Sequence, residues 1–223
     1  AFALDLRPTY GCLVPERREE VATEGGLAVA GQADRLAPAI AKLRDAGILV
    51  SLFVDPDPTQ LDAALALGAD IVELHTGRYA NAFGADEAAT RAAELELLSA
   101  CEFLFDRAQG SVPATNPPPR SWRYDTGAIS IDLGHGLTYR NLPRLLDTLL
   151  PNPLIDTLNI GHSIIARSVM TGLEPAVREM KRLLHEAAVT TPSATRLNAP
   201  APAVDARQGR PHEEEPPPPT ASV

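Results

Sequence analysis

The runs Gly134-His135-Gly136 and Gly161-His162-Ser163 each set an imidazole beside glycine at the end of a strand-like stretch. Glycine lets backbone amides come close to an anion, and a helix N-terminus adds the positive end of its dipole. Imidazole gains or loses a proton near neutrality. His135, between two glycines, is expected to be exposed and to titrate at its ordinary value of about 6.5. The preceding stretches are Ala128-Ile129-Ser130-Ile131-Asp132 and Leu158-Asn159-Ile160, and each run is expected to open into a helix. For His162 a blander reading is that it only caps that helix. Together the two runs point to acid–base chemistry on a phosphorylated molecule.

Other polar residues fall at the ends of strand-like stretches. Asp55 ends Ile48–Val54, while Glu73, His75, Thr76 and Gly77 lie on or just after Ile71–Leu74. Side chains alternate along a strand, so Glu73 points away from the side taken by Val72 and Leu74. A carboxylate there is either the structural partner of a cation or a catalytic group. His75 shares the face of Glu73 and is read as its hydrogen-bond partner or as a second acid–base group. Arg17-Arg18 reads as a solvated pair, and His185 and His212 have no assigned role. No HxH or HxxxH spacing supports a metal site, and none is expected.

The elements that must hold these residues alternate. Strand candidates are Gly11–Val14, Ile48–Val54 and Ile71–Leu74, with the two stretches named above. Helical patterns cover Ala33–Ala46, Pro58–Leu67, Ala85–Phe105, Leu142–Leu150 and Leu173–Ala188. Alternating β and α with apolar strands implies a parallel sheet covered by helices. In a parallel α/β barrel, the loops after the last two strands are the usual phosphate holders. Pro-rich residues 109–126 read as an irregular insertion, and residues 190–223 as a disordered tail rich in Pro and Ala. Residues 1–189 form the expected domain. A net charge of −9 argues against nucleic-acid binding. Two cysteines without CxxC spacing argue against a disulfide framework, and no apolar run is long enough to span a membrane. A soluble cytoplasmic protein is the resulting expectation.

Several stretches, CLVPERREEVATEGGL, VAGQ, LRDAGILVSLFVD, ELHTGRYA, GHGLTY and LNIGHSIIARSVMTGL, resemble the pyridoxine 5′-phosphate synthase family of vitamin B6 biosynthesis. The resemblance runs from about Ala1 to Ala108 and from Gly127 to about Ala188. It implies a (β/α)₈ TIM barrel, commonly a homo-octamer. The reaction it implies condenses 3-amino-2-oxopropyl phosphate with 1-deoxy-D-xylulose 5-phosphate, without a redox cofactor or pyridoxal phosphate. By resemblance His135 is the proton donor, Gly136 contacts substrate, Gly161 and His162 bind phosphate, and Glu73 stabilises charge in the transition state.

Departures from the family pattern set further expectations. Residue 1 aligns just after the family's third strand, so an Asn-x-Asp-His motif, a His-x-Arg motif and a glutamate base have no counterpart here. About five βα units, family strands four to eight, are expected as an incomplete barrel, with a phosphate half-site but little activity unaided. Ala22 stands where the family has a substrate-contacting threonine, which makes the adjacent Thr23 the candidate. Asp132-Leu133 replaces the family's Asn-Ala. An alternative is a non-catalytic remnant that binds phosphate or associates with other subunits. A third reading, another phosphate-handling barrel such as an isomerase or aldolase, lacks an evident catalytic lysine.

Overall fold

A computed structural model describes residues 2–15, 25–108, 129–150 and 152–190. Thr23, Arg17, Arg18, the expected insertion at 109–126 and the tail from 191 lie outside these residues. Five strands pair in sequence order, all parallel: β1 (Tyr10–Leu13), β2 (Leu49–Val54), β3 (Ile71–His75), β4 (Ser130–Gly134) and β5 (Ile155–Asn159). The helices are α1 (Phe2–Leu6), α2 (Ala33–Asp45), α3 (Pro58–Ala66), α4 (Gly77–Ala82), α5 (Glu87–Ala108), α6 (Leu142–Leu149), α7 (His162–Thr171) and α8 (Leu173–Thr190). The chain is an α/β protein, as expected.

Register and alternation separate the sheet into two faces. Val50, Leu52, Val54, Val72, Leu74, Ile131 and Leu133 are fully buried on one of them. Helices cover this face with Ile40 of α2, Leu61 of α3, Leu97 and Leu104 of α5, and Leu142, Leu145 and Leu149 of α6. Burying a leucine or isoleucine side chain contributes roughly 1.5–3 kcal/mol, so this layer holds the fold together. The opposite face carries Cys12, Ser51, Phe53, Glu73, His75, Asp132 and Thr157. Its register places Phe53 beside Glu73, Glu73 beside Asp132, and Asp132 beside Thr157.

Local chemistry starts and joins the helices. The Asp57 carboxylate accepts from the amides of Thr59 and Gln60 ahead of Pro58, a preorganised start for α3. α5 and α6 are clamped by Arg144, which donates to the buried Glu94 and to Glu87. Helices α2 and α3 end at the Gly47 and Gly68 turns that the sequence indicates.

Four details differ from the sequence reading. β5 begins at Ile155 rather than Leu158, because Asp156 and Thr157 interrupt its apolar run. Thr157 opposite Asp132 shows why a polar residue fits there. β4 runs to Gly134, not Asp132. After Gly136 the chain makes a turn and becomes helical only at Leu142, whereas the second run opens directly into α7. The short helices α1 and α4 were not foreseen.

Among the described residues β1 and β5 each pair on one side only. No described helix is long and apolar enough to cross a membrane. Glu94 is 1% exposed, so loss of Arg144 leaves this buried charge only its longer 3.4 Å contact with Arg91, whereas the Arg78–Glu96 pair is exposed. Arg144→Met is therefore expected to lower the urea midpoint clearly, and Arg78→Met to leave it close to the parent value. Equal midpoints in the two variants would contradict this account of the clamp.

Candidate active site

Parallel strands bring all their C-terminal ends to one rim, and the residues after β2, β3, β4 and β5 meet there. A cavity of 610 Å³ is lined by Glu73, His135, Gly136, Asn159, Gly161 and His162, among others. Among the described residues no lysine or arginine lines it. A larger groove of 1110 Å³ lies between β5 and α8, lined by Ile155, Leu158, Leu173, Val177 and neighbours. Size does not make it the chemical site, because it holds neither Gly-His run.

Backbone strain marks His135. Its φ is +81°, a left-handed conformation uncommon for a residue with a side chain and worth about 1–3 kcal/mol of strain. Neighbouring bonds impose it. The Thr76 amide donates to the Gly134 carbonyl at 2.8 Å. The Thr76 hydroxyl lies within hydrogen-bond distance of the Gly134 and His135 carbonyls. Asn141 Nδ2 donates to the Gly136 carbonyl at 3.0 Å, and Asn141 Oδ1 accepts from the Thr138 amide at 2.7 Å. Tyr79 hydroxyl donates to the Asn141 carbonyl at 2.6 Å.

The second run is tied to the first. Ser163 Oγ donates to the Leu137 carbonyl at 3.0 Å, which sets the first turn of α7 against the loop after β4. Gly161 is the N-cap of α7, and the Ile165 amide is bonded to its carbonyl. The amides of His162, Ser163 and Ile164 precede that bond, at the positive end of the helix dipole. His162 is exposed and is the first residue of the helix, so its side chain does not cap it.

Glu73 lies on the polar face as alternation predicts. The Cys12 thiol donates to its Oε2 at 3.4 Å, and burial pushes that thiol up to about 12, so it remains a donor. A Cβ at Gly134 would lie 2.0 Å from Glu73 Oε1, so only glycine there leaves the carboxylate its place. His75 does not pair with Glu73. Its Nδ1 lies 2.8 Å from Asp55 Oδ1.

His135 departs from two expectations. Its ring is half-buried rather than exposed, packed against His75 with centroids 4.8 Å apart. Burial, followed by the nearby imidazoles of His75 and His162, lowers its pKa below the ordinary histidine value. Asn141 and Ser163 were missed. The spacing Thr138-x-x-Asn141 carried a signal for the first, since the two residues bond reciprocally like a capping box. Nothing in the sequence distinguishes the Ser163 bond. Thr23 lies outside the described residues, and among those described no group of side chains could hold a metal ion.

Polar residues gathered at the C-terminal rim of a parallel sheet give the layout of an α/β small-molecule site. The chain belongs to the family described as Pyridoxal phosphate biosynthesis protein PdxJ, whose model matches residues 1–108 and 123–186. It is similar to the pyridoxine 5′-phosphate synthase of Magnetococcus marinus, 49% identical over 185 residues, covering 82% of this chain and 65% of that protein. The protein of that name from a Synechococcus strain is 46% identical over 184 residues, covering 82% and 66%. That from Idiomarina loihiensis is 43% identical over 187 residues, covering 83% and 66%. The chain thus spans 65–66% of the length of these relatives.

A burial-lowered imidazole must titrate below its free value. An NMR titration of the His135 ring protons is expected to show a midpoint below about 6.5. A midpoint at or above that value would contradict the packing against His75.

Proposed function

We propose that this chain carries the phosphate-holding and proton-donating part of a pyridoxine 5′-phosphate synthase. The observation that carries the reading is the Ser163–Leu137 bond, which sets both Gly-His turns around one cavity with Glu73. The reaction condenses 3-amino-2-oxopropyl phosphate with 1-deoxy-D-xylulose 5-phosphate, giving pyridoxine 5′-phosphate, inorganic phosphate and water. Gly161 and His162 hold a substrate phosphate on the first amides of α7. Gly136 lies against the substrate, and Thr23 is a further candidate contact. His135, as imidazolium, gives its proton to a departing oxygen. The Glu73 carboxylate stabilises positive charge that develops on the amine-bearing substrate. No cofactor or metal enters this reading, and the cytoplasm is its setting.

The sheet is read as an arc of a (β/α)₈ barrel, with residues 1–189 as its domain. The Cys12–Glu73 contact supports this, because it bridges two strand spacings, about 9.6 Å, over β2, as a concave polar face allows. Both edges of the described arc are open, and Val169 and Met170 on α7 are more than three-quarters exposed. Those features favour association with further copies. They also support a second reading, a phosphate-binding remnant that acts only by joining other subunits.

One measurement tests the phosphate turn that both readings share, and a second tests the turnover that only the first reading requires. A Cβ at Gly161 meets nothing within 4 Å and its φ is −113°, so Gly161→Asp keeps the fold while placing a carboxylate at the phosphate. Calorimetric binding of pyridoxine 5′-phosphate is expected to weaken about tenfold or more, the effect of ~1.4 kcal/mol of repulsion. Unchanged affinity would remove the phosphate from this turn. In a steady-state assay the chain alone is expected to turn over far more slowly than its full-length relatives. Whatever turnover it shows is expected to fall about 100-fold in His135→Asn. Turnover at the relatives' rate, or an unaffected variant, would contradict the proposal.

A further inference from the structure

Cys12 donates to Glu73 Oε2 but does not itself line the cavity, whose lining includes Val14, Phe53 and Glu73. Register explains this arrangement. Phe53 on β2 lies beside Glu73 on β3, so the two share one row of the polar face. Cys12 on β1 lies beside Ser51, two residues earlier along β2, which is the next row down and farther from the rim. Gly134 on β4 lies beside His75, in the next row up. The Glu73 carboxylate spans these rows. Its Oε2 meets the thiol beneath it, and its Oε1 fills the space over the Gly134 α-carbon that a Cβ would need. The residue after Gly134 is His135, so Oε1 is the oxygen turned toward the first Gly-His turn.

We infer that Cys12 is a positioning residue for Glu73: its thiol anchors Oε2 from the row beneath the cavity and so presents Oε1 toward the rim. The inference rests on Glu73 acting on substrate in the proposed reaction. A thiol suits this task because it fixes a direction without cancelling a charge. Burial, above all, keeps it protonated, with a pKa pushed up to about 12. The Ser51 hydroxyl from β2 works against that shift, while the carboxylates of Glu73 and Asp132 add to it. A neutral donor leaves Glu73 its full negative charge for the positive charge that develops on substrate. A lysine or arginine in place of Cys12 would pair with the carboxylate and offset that charge. The thiolate is the reactive form of cysteine, so a thiol held protonated is a donor and not a nucleophile.

The S–H stretch in the infrared spectrum of the full chain reads the contact without any turnover, because donation to a carboxylate weakens the S–H bond and lowers its frequency. Cys12→Ala removes the Cys12 band and so separates it from that of Cys101, the second cysteine. In Glu73→Gln the Cys12 band is expected to move to higher frequency while the Cys101 band stays in place. Crystal structures of two variants read the positioning itself. Cys12→Ala is expected to release the carboxylate from its place over Gly134, and Cys12→Ser, which keeps a donor, to retain it there. If the alanine variant fails to fold, Cys101→Ala assigns the bands and the infrared comparison decides alone. A Cys12 band unmoved in Glu73→Gln, or a carboxylate that sits alike in the alanine and serine variants, would overturn the positioning role. Turnover that is indifferent to Glu73→Gln would instead overturn the functional reading of Glu73 and leave the contact standing.

Discussion

Parallel pairing is the constraint from which the rest follows. Parallel strands cannot be joined by tight turns, so each must be followed by a crossover that returns the chain to its starting end. Helices cover one face of the sheet, and all five C-terminal ends collect on one rim. The buried layer of Val, Leu and Ile is what allows the opposite face to hold Glu73, Asp132 and His75. Those polar groups are buried on the face that leads to the rim.

The rim is held most tightly at the first Gly-His turn. His135 holds a left-handed backbone conformation because Thr76, Asn141 and Tyr79 fix the carbonyls around it. None of these bonds reaches the imidazole. They set the direction of the Cα–Cβ bond and leave the ring to be placed by His75. The Ser163 hydroxyl extends the same network to α7, so the two Gly-His turns are tied into one unit. Strain of this kind persists only where several bonds over-determine it.

Much of this was legible in the sequence. The apolar runs and the glycine turns between helices and strands marked the α/β order, and alternation around Val72 and Leu74 placed Glu73 on the polar face. The two Gly-His runs identified the rim. What escaped was set by contacts distant in sequence. His75 and Asp55 are twenty residues apart, and only the β2–β3 register makes them partners in place of His75 and Glu73. The half-burial of His135 also depends on packing, because flanking glycines suggest exposure while the ring actually rests on His75. β5 was read too short because strand patterns favour apolar residues, and a strand lining a polar face need not have them.

The central claim is that both Gly-His turns serve one phosphorylated ligand. It is tested most directly by mapping amide chemical shifts while the chain is titrated with pyridoxine 5′-phosphate. The account predicts the largest changes at Gly136, Gly161, His162 and Ser163, with the His135 ring moving in step. Changes centred on Leu173 and Val177, in the larger groove beside β5, would place the ligand elsewhere and contradict it.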